Sequence, residues 1–219
     1  PFQSDAPAVI GRIAQADLLP AGTVTWAYSD AAQLRLAYSR TVSRPDFREL
    51  SSAPFTDPQL DISVIGNPGL VQADIASLDL RWEYYFNNLE SFSVALFSKD
   101  FTRPIELVRT PASGDLLELR NADSAANQGI ELDLYRSFGF VERWDWLPSA
   151  LRERLPWQDV YLGLNYAWIE SEVDLGANAG IQTSTQRPLQ GQSPYVANLS
   201  LSYLPEHGRT EAALLYNVA

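Results

Sequence analysis

The chain has 219 residues with no cysteine, no methionine, a single histidine and no long apolar run. Without thiols there is no disulfide framework, no thiolate metal site and no catalytic cysteine. The one histidine, His207, sits in a Pro205-Glu206-His207-Gly208 turn. A Ser-His-Asp site would have to be built around that turn residue, and no His-based metal pattern or phosphate-cradling glycine loop is present. Asp57, Asp61 and Asp74 gather in or beside one loop, but their spacing matches no EF-hand and they read as solvated carboxylates. The chain is therefore expected not to be an enzyme, with no metal and no cofactor. Cations are scarce as well. Sixteen Lys and Arg against 27 Asp and Glu give a formal charge of -11, which argues against nucleic acid as a partner. No stretch reaches the roughly 18 apolar residues of a spanning helix. A barrel strand needs only about ten, apolar at every second position, so that absence leaves a β-barrel open. Residue 1 is Pro and no signal peptide is visible, so the chain is expected to be part of a longer protein.

What the chain has is alternation with period two, the mark of strands whose two faces meet different environments. Val24, Trp26 and Tyr28 share one face, and Leu34, Leu36 and Tyr38 another. The segment Ala73 to Tyr85 is the cleanest, with Leu78, Leu80, Trp82 and Tyr84 opposite Ser77, Asp79, Arg81 and Glu83. Further alternating runs start at Ser91, Gln128, Val160, Tyr195 and Ala212. That makes about eight strands in an all-β, antiparallel up-and-down meander. Their connections alternate too. Short turns, such as Ser29 to Ala32 and Asn87-Asn88, take turns with long excursions at about Ser43 to Gln72, Thr102 to Asn127 and Glu172 to Ser193. The first excursion lacks clean periodicity and is punctuated by Arg44-Pro45 and by Gly66-Asn67-Pro68. Within the second, Leu116 to Leu119 is expected to extend the strands. One connection on the short-turn side, Ser137 to Asp159, is expanded. Its Pro148-SALRERL-Pro156 core, with Leu147, Leu151 and Leu155 on one face, predicts a short amphipathic helix.

A soluble β-sandwich, such as a carbohydrate-binding module, would also show alternating faces. Three features favour an outer-membrane barrel instead. The strands are longer than the usual five or six residues. Their polar faces favour Ser, Asn and Gly over a Lys/Glu coat. Tyr and Trp recur near the ends of the apolar faces, as in an interfacial girdle. Short turns on one rim and long loops on the other complete that layout.

Several stretches carry a resemblance. YSRTVSRPDFREL, GNPGL followed by SLDLRWEYY, SVALFSKDFTRPIE, RNADSAANQGIELDLY, GQSPYVANLSLSY and the final LLYN resemble, in order, the C-terminal barrel half of TonB-dependent outer-membrane receptors. The resemblance runs from about Leu18 to Asn217 and is specific to the superfamily, not to a substrate. It implies that residues 1 to 219 are part of a transmembrane β-barrel of about 22 strands, lacking the plug domain, the TonB-engaging segment and the terminal strands. The bacterial cell outer membrane is the implied location. The implied function is active uptake of a scarce nutrient (siderophore, cobalamin, oligosaccharide or peptide) energised through TonB, with a passive porin-like or structural barrel as the rival. Its implied partners are outer-membrane lipid, the receptor's own plug, the TonB complex and the nutrient. On that reading Arg35, Asp79, Arg81, Glu83, Lys99, Glu131 and Asp133 face the lumen or plug. Phe47, Phe55, Tyr195 and the polar Ile181 to Gln192 region are the loop candidates for ligand capture. Arg44, Pro45, Gly66, Asn67 and Pro68 shape the first long loop, and the expanded connection lies on the periplasmic rim.

Overall fold

A computed structural model describes residues 14–57, 62–109, 116–176, 184–205 and 210–219. Alternation becomes one large antiparallel sheet of β1 (Ala21–Ser29), β2 (Ala32–Ser43), β5 (Ala73–Tyr85), β6 (Ser91–Thr102), β9 (Ser124–Ser137), β10 (Val160–Asp174), β12 (Tyr195–Tyr203) and β13 (Ala212–Val218), each paired with the next. A two-residue strand, β11 (Gln186–Arg187), pairs with the end of β10. The observed meander matches the expected one, with β5 and β12 at the expected bounds. β9 starts earlier than Gln128, at Ser124, because Ala125 and Ala126 pair on both sides with β6 and β10.

Register converts the alternation into two unlike faces. One row aligns Leu36, Leu80, Leu96, Ile130, Trp168 and Tyr195. The next aligns Leu34, Trp82, Val94, Leu132, Tyr166 and Ala197. Among the described residues no second sheet covers this face: Leu36, Leu78, Leu80 and Leu96 are all exposed. A soluble sandwich would bury this face, and here it lies open. Along its short-turn end aromatic side chains touch one another, and Trp82 Nε1 donates to Tyr28 Oη at 2.7 Å.

The long excursions hold more structure than their sequences suggest. The first contains β3 (Pro54–Asp57) and β4 (Ile62–Ile65), and the second contains β7 (Ile105–Arg109) and β8 (Leu116–Asn121). These four form a separate sheet in the order β3-β4-β8-β7, with β4 and β8 parallel. Leu116 to Leu119 therefore does not extend the large sheet. It joins two loops, because Leu119 is buried with Val64 and Leu70 while Leu107 and Ile105 pack on the same cluster. A second cluster, Val108, Ala122, Ala125, Val173 and Leu175, fastens this small sheet to the ends of β9 and β10.

The two loop-shaping signals meet. Asp46 and Glu49 exchange hydrogen bonds, each accepting from the other's backbone N–H at 2.8 and 3.0 Å, which closes a turn behind buried Pro45. Asn67 N–H donates to the Glu49 carbonyl at 2.7 Å. Gly66 lies so close to that turn that a Cβ would strike the carbonyl oxygens of Arg48, Glu49 and Ser51. Only glycine allows that approach. Arg44 pairs with Asp17 at 3.0 Å and donates to buried Gln72, tying the chain before β1 to the loop's base. Asp61, His207 and residues 181–183 of the third excursion lie outside the described residues, as does the side chain of Asp57.

The expanded connection contains the expected helix, α1 (Ser149–Arg154), framed by 3-10 turns at Phe138–Arg143 and Trp157–Asp159. Leu151 and Leu155 stay exposed instead of closing onto a core.

Candidate functional site

The polar face carries two constructions, a belt across its width and a cleft at the long-loop end. The belt follows one row of register: Gln33 on β2, Glu83 on β5, Ser93 on β6, Asp133 on β9, Asn165 on β10 and Asn198 on β12. A hydrogen-bonded chain runs through all six. Gln33 Nε2 donates to Glu83, which also takes Arg35 Nη2 at 3.4 Å and Arg81 Nε at 3.2 Å. Arg81 Nη2 crosses to Ser93 Oγ at 2.7 Å and Asp133 Oδ2 at 3.0 Å. Asn165 Nδ2 donates to Asp133 Oδ1 at 2.6 Å, and Asn198 Nδ2 to Asn165 Oδ1 at 2.9 Å. Two cations and two carboxylates are thus neutralised within one network, where each hydrogen bond polarises the next.

The seven charged candidates on this face divide accordingly. Arg35, Arg81, Glu83 and Asp133 join in the belt. Asp79 and Lys99 share the face farther toward the long loops, Glu131 lies in the row of Arg35 and Arg81, and none of the three forms an ion pair among the described residues. The uncharged members, Gln33, Ser93, Asn165 and Asn198, carry no mark in the sequence that sets them apart from other polar-face residues. The signal that finds them is register, since each lies on a different strand.

The cleft measures about 540 Å³ and lies where the small sheet leans over the polar face. Ala73, Ile75 and Phe101 from the large sheet form its floor, while Ile105, Glu106 and Leu107 from β7 and Leu189 to Gly191 form its walls. Glu106 is buried and accepts from Arg187 Nη2 at 2.6 Å, so an ion pair ties the second long loop to the third. Burial pushes the Glu106 carboxyl above its usual value, and the Arg187 charge and hydrogen bond offset only part of that rise. A folded-state pKa above the unfolded one means that the folded mouth binds this proton more readily. Stability from this group is full below the ordinary glutamate pKa and is lost as pH rises through the raised value. Glu106→Gln is expected to remove that loss, while Arg187→Met moves it to higher pH. Amide exchange in β7, followed against pH and corrected for intrinsic rates, measures both. A pH profile unchanged in Glu106→Gln would show that the group titrates normally.

The loop candidates separate. Phe47 is 95% exposed at the tip of its turn. Phe55 packs on the Val64 cluster under the Arg48 guanidinium, so it is part of the small sheet's core. Tyr195 opens β12 on the apolar face, opposite Trp168, and so lies on a strand wall and not in a loop. Of the residues that line the cleft, Ala73, Ile75 and Phe101 lie on the alternating strands, whereas Glu106 comes from the five-residue β7 and Leu189 from outside any strand, stretches too short to show a period.

A family model described as TonB dependent receptor-like, beta-barrel matches residues 3–217. The chain belongs to this family. It is a family of receptors and not of enzymes, as expected from the composition. No curated protein matches the chain. Among solved structures, the siderophore receptor PirA from Pseudomonas aeruginosa aligns at 13% identity and TM-score 0.56, over 91% of this chain and 31% of that one. PirA from Acinetobacter baumannii aligns at 14% identity and TM-score 0.57, over 91% and 28%. A variant of the ferric enterobactin receptor PfeA from Pseudomonas aeruginosa, in complex with enterobactin, aligns at 15% identity and TM-score 0.53, over 90% and 27%. The chain thus spans under a third of each receptor, and the likeness is one of fold. The TonB-dependent receptor barrel accounts for both faces of the sheet.

Proposed function

We propose that this chain is part of the wall and mouth of a 22-stranded outer-membrane receptor that takes up a scarce nutrient at the expense of TonB-coupled energy. The observation that carries the reading is the pairing of an uncovered apolar face with a polar one crossed by a hydrogen-bonded belt, in a chain of this family. The apolar face meets lipid, the polar face meets the lumen and plug, and the long loops face outward. In this scheme the belt of Arg35, Arg81, Glu83 and Asp133 stiffens the wall. Asp79, Lys99 and Glu131 remain available to the plug or to passing substrate. The mouth cleft and the exposed Phe47 belong to capture. The solved receptors it resembles in fold are named for siderophores and enterobactin, and a ferric siderophore is accordingly the first nutrient class to try. Uptake of radiolabelled ferric siderophores by cells carrying the full-length receptor tests the reading. Uptake is expected to stop when TonB is deleted or the inner-membrane potential is collapsed. Uptake that persists without TonB would instead identify a passive porin-like barrel.

A further inference from the structure

The expanded connection on the short-turn rim, residues 138–159, is larger than a turn needs to be and ends in exposed aromatic side chains. Trp146 is 74% exposed and Trp144 40%. They are held in place. Val141 is buried, Trp157 Nε1 donates to the Leu151 carbonyl at 3.1 Å, Leu147 N–H donates to the Trp144 carbonyl at 3.0 Å, and Arg152 pairs with Asp145 at 3.2 Å. A built element that keeps two indoles in the open has something to cover them.

What covers them follows from the contacts that lead there. On the apolar wall, Trp82 stacks on Tyr84 with ring centroids 6.2 Å apart, and Tyr84 meets Phe86 edge-on at 5.0 Å. The Arg136 guanidinium lies 3.9 Å from the Phe86 ring centre and 4.6 Å from that of Phe140. Phe140 touches Trp144 at 5.3 Å, and Trp144 stacks on Trp146 at 5.3 Å. One unbroken ladder therefore runs from the wall, across Arg136, to the tip of the connection. The surface it continues is the one that meets lipid in the proposed barrel. Indole rings settle at the headgroup level because one edge is apolar and the N–H is polar. Between residues 138 and 157 the charges balance, with Arg143, Arg152 and Arg154 against Glu142, Asp145 and Glu153. A balanced charge suits an apolar, headgroup-level contact over attraction to one lipid charge.

We infer that residues 138–157 form an interfacial paddle that seats Trp144 and Trp146 in the periplasmic leaflet, with phospholipid as the partner. The inference rests on the outer-membrane reading above. It extends the aromatic girdle beyond the strand ends and fixes the depth and tilt of this side of the barrel.

Lipid photo-crosslinking of the full-length receptor in phosphatidylcholine vesicles tests it without altering the protein. One lipid carries a diazirine near its glycerol, and a second carries it in mid-chain. Cleavage after Arg143 and Arg152 releases peptide 144–152, and cleavage after Arg48 and Arg81 releases peptide 49–81, which carries Leu80. Shallow-probe adducts on 144–152, with deep-probe adducts on 49–81, are the expected result. The paired variant Trp144→Ser with Trp146→Ser is expected to lose 144–152 adducts severalfold while keeping those on 49–81. Adducts on 49–81 with none on 144–152 would overturn the paddle and leave the barrel intact. Adducts on neither peptide would overturn the membrane reading itself.

Discussion

Leu80→Arg in the full-length receptor is expected to cost about 2–4 kcal/mol, the range for a cation placed on the lipid face near the bilayer midplane. Asp79→Arg, at the adjacent position, is expected to change stability by less than about 0.5 kcal/mol, as surface substitutions generally do. The contrast is a matter of parity. Leu80 sits in the middle of an uncovered row, between Leu36 on β2 and Leu96 on β6. An arginine there has no partner in the row and would have to snorkel past Trp82 or Leu78 to find water. Asp79 points the other way, between Ala37 and Phe97, on the face that holds the belt. Reversible unfolding in lipid vesicles measures both variants, and the fraction of folded receptor recovered from outer membranes gives an independent reading. Equal losses at the two positions would mean that both faces see the same environment. That result would remove the barrel assignment of this sheet.

Parity is also the part of the fold that is legible in the sequence. A residue's face follows from counting by two, so Leu80 and Arg81 fall on opposite faces simply by being neighbours in a strand. The ends of β5 and β12 are legible for a related reason, since turn residues bracket a strong alternation. Two kinds of feature are not. One is pairing between distant loops: β4 and β8 have four and six residues, and nothing local says that they lie side by side. Their association depends on the shared burial of Val64, Leu70 and Leu119, which is a property of three dimensions. The other is partnership across strands. Arg81 and Asp133 are each legible as polar-face charges, but they meet on a diagonal across β6, where Ala95 is in register with Arg81 and Ser93 with Asp133. Tyr195 shows the converse. Its place next to a long loop suggests a ring available for capture, yet its register with Trp168 turns it outward.

The belt yields the second large effect. Arg81→Leu is expected to destabilise the receptor by about 1–3 kcal/mol, the range for losing hydrogen bonds to charged groups and leaving acceptors short of a donor. Asp133→Leu is expected to cost a similar amount. Neither loss reaches the value for an isolated buried ion pair, because the network redistributes. Without Arg81, Asp133 keeps Ser93 Oγ at 3.2 Å and Asn165 Nδ2 at 2.6 Å, and Glu83 keeps Gln33 and Arg35. Without Asp133, Arg81 keeps Glu83 and Ser93. The partial exposure of both side chains, 34% and 36%, limits the effect further through solvent screening. The diagnostic quantity is the double variant, which should cost less than the sum of the two by about 0.5–3 kcal/mol, as expected for residues in one network. Denaturant unfolding of all four proteins in the same lipid supplies the cycle. Simple additivity would show that Arg81 and Asp133 do not meet in the assembled receptor. Asn165→Leu then locates the chain's far half, since it removes the bridge between Asp133 and Asn198 without touching either charge. Its loss should add to that of Arg81→Leu less than fully if the belt acts as one strap across six strands. Such a strap makes physical sense on this face. On a hydrated face water competes with hydrogen bonds between isolated side chains, whereas a continuous row satisfies each polar group from both sides and resists shear between neighbouring strands.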